Sequence, residues 1–506
     1  MTSLVFLLFV SAGFAQDRIE VSGVVTDAAT NEPLIGVTVA EKGKKGNGTA
    51  TDLNGHFALK VPSNGTLTFS YVGYASQEVP VEGQTMLSVA LSENQQMLDE
   101  IVVIGYGVQK KADLTGAVAV VDMDEAKKTQ ATNIAEMLQG QAAGVSVQTT
   151  GNPGEMSNVR IRGIGSFSSV GPLYVIDGLI VNDVNHLNPQ EIETMQVLKD
   201  ASAAAIYGAR GANGVIVITT KKGKKGKPTL DISANFSVAD MPKTIKMKST
   251  PEFMYYNEQS YINSNTAWPA AGIAAGTMLP NTDWQKAVFQ VGTTQDYNLM
   301  YTQGTDHVNM AVGAGYLNQT GILEGPEYER VTARINTDAT YGIFKIGENL
   351  TFQHTDNMTT NSGSFANALS TPPVIPVYDP NEPSGRGGFG YGSATFPTYT
   401  TNPVANQESI RNQQVNDRVI GNLFVELDIW KYFKYKFNFG VDAWFGRTKT
   451  INHCYTMRMA SGEQRYNDIL DDIRDQRFTL LMEHTLNYNQ KIGKHTIGAL
   501  VGYTTE

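Results

Sequence analysis

The chain has 506 residues, room for three or four domains at about 150 residues each. Lys and Arg total 39 against 49 Asp and Glu, and the net charge of −10 argues against wholesale binding to nucleic acid. Only 17% of residues are charged, glycine is abundant at 49, and the single Cys454 excludes an internal disulfide framework or a cysteine-built metal cage.

The first element is a compact apolar run, Leu4 to Val10, followed by Ser11-Ala12-Gly13-Phe14-Ala15. This pattern predicts an export signal at residues 1–15, cleaved after Ala15. The run is too short for a spanning helix, and no later stretch approaches the roughly 18 apolar residues one needs. An exported chain of this kind is either soluble or crosses a membrane as a barrel.

From Ile19 to Leu91 short alternating runs are separated by turn clusters, predicting a β-sandwich over residues 17–93 with about seven strands. Asp52, Asn54 and Gly55 sit in an Asn-Gly turn and lack the further acids of a calcium loop. Residues 94–112 follow as a linker and contact segment. Its run Leu98-Asp99-Glu100-Ile101-Val102-Val103 reads either as the last strand of the sandwich or as a free strand able to add to another sheet.

Residues 113–223 read as mixed α/β. Strands are expected at Val118 to Val121, Val159 to Gly163, Leu173 to Ile176 and Gly214 to Thr220, and a helix capped near Thr132 or Asn133. A second short helix is expected from Pro189 to Leu198, with Pro and acids at its start. Asp177-Gly178 is a hairpin-turn dipeptide. The glycine-rich stretches around Ser166 and Gly208 lack the lysine or βαβ context of a phosphate cradle. Ser166, His186 and Asp177 are not framed by a nucleophile elbow. No catalytic, metal or cofactor constellation is found.

After Pro228 the period changes to long alternation, as in Leu230, Ile232, Ala234, Phe236 and Val238 against Asp231, Ser233, Asn235 and Ser237. Runs of ten or more such residues, with Tyr341, Trp430, Tyr432 and Phe445 near their ends, predict membrane-spanning strands over residues 228–506. About nine are counted. The long connections Met241 to Val291 and Thr359 to Val415 offer Trp268, Tyr378, Phe389 and Tyr391 as candidates for stacking on a ligand, or equally for loop packing.

Three blocks carry a resemblance. "VSGVVTDAATNEPLIGVTV" and "TDLNGHFALKVP" resemble the carboxypeptidase-regulatory-like β-sandwich of Bacteroidetes outer-membrane proteins. Asp99 to Val103 resembles a TonB box. "VRIRGIGSFSSVGPLYVIDGLIV" and "IETMQVLKDASAAAIYGARGANGVIVITTKKG" resemble the plug of SusC/RagA-type TonB-dependent outer-membrane transporters. The implied fold is mainly β: sandwich, α/β plug, then the first part of a 22-stranded antiparallel transmembrane barrel. Nine strands cannot enclose a plug, so the chain is read as cut short at Glu506.

The resemblance implies import of an oligosaccharide or peptide across the outer membrane, with no covalent chemistry. The sandwich and TonB box would lie in the periplasm. TonB would pull at Asp99, Glu100, Ile101, Val102 and Val103, and a SusD-like surface lipoprotein would be the partner. Arg160, Arg162, Gly163, Asp177, Gly178, Gly208, Arg210, Gly211, Asn213 and Gly214 fall in the plug motifs, with arginines expected to pair with carboxylates of the barrel wall. A secreted glycan-binding or adhesion protein is the alternative.

Overall fold

A computed structural model describes residues 18–506 apart from 29, 45–46, 72–73, 75, 93–100, 105–106, 111–116, 130, 164–170, 182, 186, 242, 275, 360–362, 380–387, 454–455, 460–461, 466 and 494. The signal, Asp99, Glu100, Ser166 and His186 therefore lie outside the described residues. The chain divides into two units, Met1–Thr115 and Gly116–Glu506.

In the first unit seven strands form a sandwich: Arg18–Asp27 (β1), Thr38–Glu41 (β2), Gly48–Ala50 (β3), His56–Pro62 (β4), Thr66–Ser70 (β5), Gln77–Pro80 (β6) and Met86–Leu91 (β7). One sheet runs β4-β1-β7 and the other β3-β2-β5-β6. Alternation decides which side chains turn inward: along β4, Phe57, Leu59 and Val61 are buried while their neighbours face water. They meet Val21, Val39, Leu67 and Phe69, with Phe57 and Phe69 edge-to-face at 5.3 Å. Asp52 is used by its turn, where Oδ1 accepts from the backbone N–H groups of Asn54 and His56. Past the sandwich, Ile101–Ile104 (β8) pairs antiparallel with Gly107–Lys110 (β9), and no third strand joins them among the described residues.

The second unit begins with the plug. Its main sheet takes the order β10-β15-β16-β13-β14, from Val118–Val121 (β10), Leu173–Ile176 (β13), Leu179–Val181 (β14), Ile192–Leu198 (β15) and Val215–Thr220 (β16). Val145–Gln148 (β11) and Asn158–Ile161 (β12) form a separate hairpin. Short helices start on Asp122 and Asn133, whose side chains accept from the first-turn N–H groups. The helix expected from Pro189 to Leu198 is a correction. Only Pro189–Glu191 turns, as a single 3-10 turn, and the rest is the strand β15. That strand is flanked on both sides by β10 and β16, so sheet pairing and burial of Ile192, Met195, Val197 and Leu198 override the helical signal of the Pro-acid start.

Nine long antiparallel strands then follow, each paired with its neighbour in the sheet: Thr229–Ala239 (β17), Gly292–Gly304 (β18), Val308–Thr320 (β19), Glu327–Tyr341 (β20), Phe344–Thr359 (β21), Ile410–Ile429 (β22), Phe433–Asn452 (β23), Ile469–Ile492 (β26) and His495–Thr505 (β27). The small hairpin Thr456–Met459 (β24) and Gly462–Arg465 (β25) stands between β23 and β26. Joints at one end of the sheet are tight, as at 305–307, 342–343 and 430–432; at the other end they span 240–291, 321–326, 360–409 and 453–468.

The two faces of this wall reverse the usual arrangement of a water-soluble protein. On β20, Arg330, Thr332, Arg334, Asn336 and Asp338 are buried, Arg330, Arg334 and Asn336 in contact with the plug, while Val331 and Ile335 are exposed. On β21, Asn349, Thr351 and Gln353 are buried, while Leu350 and Phe352 are exposed. An apolar outside and a polar inside, on strands of 11 to 24 residues, is the pattern of a lipid-facing barrel wall. Among the described residues no helix is long and apolar enough to cross a membrane.

The long connections fold on themselves rather than remaining irregular. Helices Thr250–Asn263, Trp284–Val288, Ser364–Ser370 and Pro403–Ser409 were not expected from the Asn, Pro and Gly content. Trp284, Val288, Val374, Ile375, Phe389 and Val404 form a separate small core among them.

Candidate functional site: the seam between plug and wall

Asp177 and Gly178 connect β13 to β14 with only two residues, the register closing on Ile176↔Leu179. Both have positive φ, 49° and 88°, as a type I′ turn requires, and Asp-Gly is among the pairs that tolerate it. The turn carries the Asp177 carboxylate to the wall. Its Oδ2 accepts from Arg334 Nη2 at 2.7 Å and from Thr220 Oγ1 at 2.6 Å, and Oδ1 accepts the Thr220 backbone N–H at 3.0 Å. Arg334 also donates to the Thr220 hydroxyl. Glu191, at the turn before β15, places Oε2 3.7 Å from Arg334 Nη1. All three charged side chains are at most 6% exposed.

The two carboxylates answer burial differently. Burial acts to raise Asp177, but Arg334, Lys222 and two hydrogen bonds from Thr220 outweigh it and hold the carboxyl below its usual range. For Glu191 burial prevails over Arg334 and Arg330, and its pKa is raised. Glu191 Oε2, Arg334 Nε and Asn349 Oδ1 have no hydrogen-bond partner among the described residues. A cavity of about 20 Å³, lined by Asp177, Leu179, Arg334, Asn349 and Asn422, adjoins the last two of these side chains and has room for about one water.

A second clamp uses Arg418 of β22. It donates to Asp183 of the plug at 2.8 Å and makes a two-pronged pair with Asp442 of β23, Nε to Oδ1 at 2.8 Å and Nη2 to Oδ2 at 2.6 Å. Arg330 donates to the backbone carbonyls of Asn185 and Thr132. Asn188 Nδ2 donates to Asn298 Oδ1. Around these pairs the seam is polar, while Ile420 of β22 and Leu481 of β26 join the plug's apolar cluster. At Arg334 and Arg418 the charges run opposite to expectation, the wall supplying the arginines and the plug the carboxylates.

Of the plug arginines named from sequence, Arg210 pairs with a carboxylate at the end of the wall as expected, and Arg160 and Arg162 do other things. Arg162 is exposed at φ 57°, its N–H donates to the Gly144 carbonyl, and it has no ion pair with the wall among the described residues. Arg160 is half-buried on β12 opposite Ser146. Arg210 is half exposed and pairs with Glu506 at 2.7 Å. Gly163 and Gly208 occupy positive-φ turns, Gly211 is buried, and Asn213 and Gly214 lead into β16. Sequence reading missed Arg334 and Arg418; the available signal was an arginine repeated inside the polar register of a long alternating strand.

Residues 221–227 are less free than a solvated connector. Lys224 pairs with Glu193 at 2.5 Å, Lys221 with Asp231 at 3.5 Å, and Lys225 with Asp306. A Cβ on Gly223 would fall 2.0 Å from the Gln303 carbonyl and 2.5 Å from the Met310 nitrogen, so the chain can cross the wall here only as glycine.

In the connections, Phe389 is buried and Tyr378 stacks on it at 5.4 Å, its hydroxyl donating to Glu408. That hydrogen bond, with burial behind it, pushes the Tyr378 phenol up to about 12. Trp268 is half-buried, its indole N–H donating to Asn257 at 2.8 Å, and Tyr391 is half-buried. Among the described residues no group of His, Cys, Asp and Glu is placed to hold a metal ion.

The TonB-dependent Receptor Plug Domain family matches residues 110–215, and the CarboxypepD_reg-like domain family matches residues 21–103. The chain is 35% identical over 458 residues to the TonB-dependent receptor SusC of Bacteroides thetaiotaomicron, covering 85% of this chain and 44% of that protein. These matches support a SusC/RagA-type TonB-dependent receptor. A TonB-dependent receptor of Formosa agariphila is 32% identical over 518 residues, covering 99% of this chain and 48% of its own length. A structure of the RagAB peptide importer in its open-open state superposes on 80% of this chain and 48% of that chain, with TM-score 0.68 and 26% identity. The chain spans about half the length of the curated relatives it matches. Within this receptor family its nine-stranded sheet is a partial barrel wall, and the seam is where plug and barrel meet.

Proposed function

We infer that this receptor works as a TonB-driven importer at the outer membrane, taking up an oligosaccharide or a peptide. The observation that supports it most directly is the seam: a plug with its own apolar core is held in a lipid-facing wall by buried, polar, exchangeable contacts. Force delivered through residues 99–103 would be resisted chiefly by Arg334 and Arg418. Strand addition suits that segment, since among the described residues no third strand joins the two-stranded sheet of β8 and β9. Proton-motive force at the inner membrane would supply the work, and a SusD-like lipoprotein would cover the long-connection end.

The substrate reading leans toward an oligosaccharide. Above the plug the inward register of β21 to β23 carries Asn357, Asn412, Gln414, Asn416, Thr448 and Thr450, amides and hydroxyls matched to a hydroxyl-rich ligand, while β26 adds Asp471, Asp475 and Arg477 beside them. RagAB, the structural relative, is a peptide importer, so a peptide is the second reading. The test is uptake of labelled oligosaccharides and peptides by cells carrying the full-length gene with 98–103 deleted. Uptake that persists would sink TonB coupling, and recovery of the protein in a soluble fraction would favour the adhesion reading instead.

A further inference from the structure

The outer face of the wall changes character abruptly at its long-connection end. On β23 the outward register runs Phe433, Tyr435, Phe437, Phe439, Val441, Ala443 and Phe445, and then Arg447 and Lys449. From Phe433 to Phe445, at about 3.3 Å per residue and a strand tilt of about 40°, this apolar stripe rises about 30 Å, close to a hydrocarbon thickness. Phe445 and Phe478 close it with an edge-to-face contact at 5.4 Å. Arg447 comes one outward step higher, about 5 Å.

Around it the neighbouring strands add Arg474 on β26 and Arg411 on β22. Arg447 and Arg474 are direct cross-strand partners, an arrangement of like charges that costs stability in a sheet. Among the salt bridges of the described residues, Asp472 is the carboxylate that serves the group. Asp472 accepts from Arg447 Nε at 2.9 Å and Nη2 at 2.7 Å, lies 4.0 Å from Arg474 Nε, and is registered opposite Lys449. The next outward acids, Asp356 and Asp417, are engaged by Gln413 and His354. Arg447 is 47% and Arg474 74% exposed, so the cluster opens to the outside. Arg411 and Lys449 have no carboxylate within salt-bridge distance among the described residues.

We propose that Arg411, Arg447, Lys449 and Arg474 form a binding site for the phosphate-bearing headgroup of an outer-leaflet lipid. The cations stand where the hydrocarbon ends, guanidinium forks suit phosphate oxygens, and the aromatic pair beneath offers a surface for acyl chains. The assignment rests on the importer reading for which end of the wall faces outward.

The experiment uses the full-length gene product in detergent, incubated with lipopolysaccharide bearing phosphorylated lipid A or with its dephosphorylated form, and counts retained lipid by native mass spectrometry. Wild type should retain the phosphorylated lipid, and Arg447→Ala/Lys449→Ala/Arg474→Ala should retain at least tenfold less. Arg411→Ala/Lys449→Ala keeps the Arg447–Asp472 pair and should lose about threefold, which keeps the test valid if the triple variant misfolds. Equal retention by the variants, or of the dephosphorylated lipid, overturns the proposal. Full competition by inorganic phosphate would make this a free-anion site and overturn the lipid assignment. Orientation is tested separately, by labelling Lys449→Cys in a Cys454→Ser background on intact cells with an impermeant maleimide. Labelling without lipid retention would leave the importer reading standing while this site fell.

Discussion

The plug has two kinds of boundary. Its interior is apolar, with Ile134, Met137, Leu138, Ile192, Met195, Ile216 and Ile218 at no more than 1% exposure. Its seam with the wall is built mainly from Asp177, Glu191 and Asp183 against Arg334 and Arg418, with amides and hydroxyls around them and an apolar contact from Ile420 and Leu481. Apolar packing loses its benefit when wetted, whereas ion pairs and hydrogen bonds can be replaced by water at modest net cost. A body bounded in this way can leave its seat without losing its own fold. Four perturbations would break or sharpen that contrast.

The largest effect is expected from Asp177→Ala, which strands Arg334 without its 2.7 Å partner. Loss of one member of a buried pair costs about 3–5 kcal/mol. Protease protection should fall across the seam, at 173–185, before it falls in the core strands β15 and β16; simultaneous loss in both would contradict two separable boundaries. The double replacement Asp177→Leu/Arg334→Met should restore protection, since apolar substitutes for a buried pair are often neutral or stabilising, while uptake stays impaired.

Next comes Leu138→Ala, which empties part of the core at a cost of about 2–4 kcal/mol. Here hydrogen exchange should accelerate in β15 and β16 with the seam contacts largely retained at low temperature. Acceleration confined to the seam would reverse the assignment of roles.

A smaller effect concerns pH. Glu191 has a raised pKa in the folded state, so its contribution to seating is fully present below the ordinary 4.5 and is lost as pH rises through its folded value. Asp177 is held low, so its contribution is present above 3.8 and is lost as pH falls through its own folded value. Seam protection in wild type should therefore weaken as pH rises above 4.5, and Glu191→Gln should flatten that slope while leaving the acid limb due to Asp177. An unchanged slope in the variant would remove Glu191 from the account. The smallest effect is expected from Lys224→Ala: its pair with Glu193 is mostly exposed and contributes at most about 1 kcal/mol, visible only as a slight shift in the thermal midpoint.

Much of this architecture was legible from residue order. Strict alternation along Leu230 to Val238 or Val331 to Tyr341 is a one-dimensional signal, because a strand's side chains change face at every residue. Asp177-Gly178 was legible as a turn for an equally local reason, the positive φ that the pair tolerates. Local signals misled where pairing partners decide. The stretch after Pro189 starts like a helix but is drawn into the sheet between β10 and β16, and the loop helices are held by packing among Trp284, Phe389 and Val404.

What the sequence determined by itself was the long wall strands and the sorting of their residues into an apolar and a polar face. What only the tertiary structure decided was who meets whom. Arg334 lies 157 residues from Asp177, and Arg418 235 from Asp183, so no local pattern links them. The expected polarity was inverted at Arg334 and Arg418 for that reason. Arg162 is conspicuous in its motif yet faces solvent, while the wall arginines look ordinary until the plug brings carboxylates to them. Burial then gives those pairs their strength, and burial is a property of the assembled fold rather than of residue order.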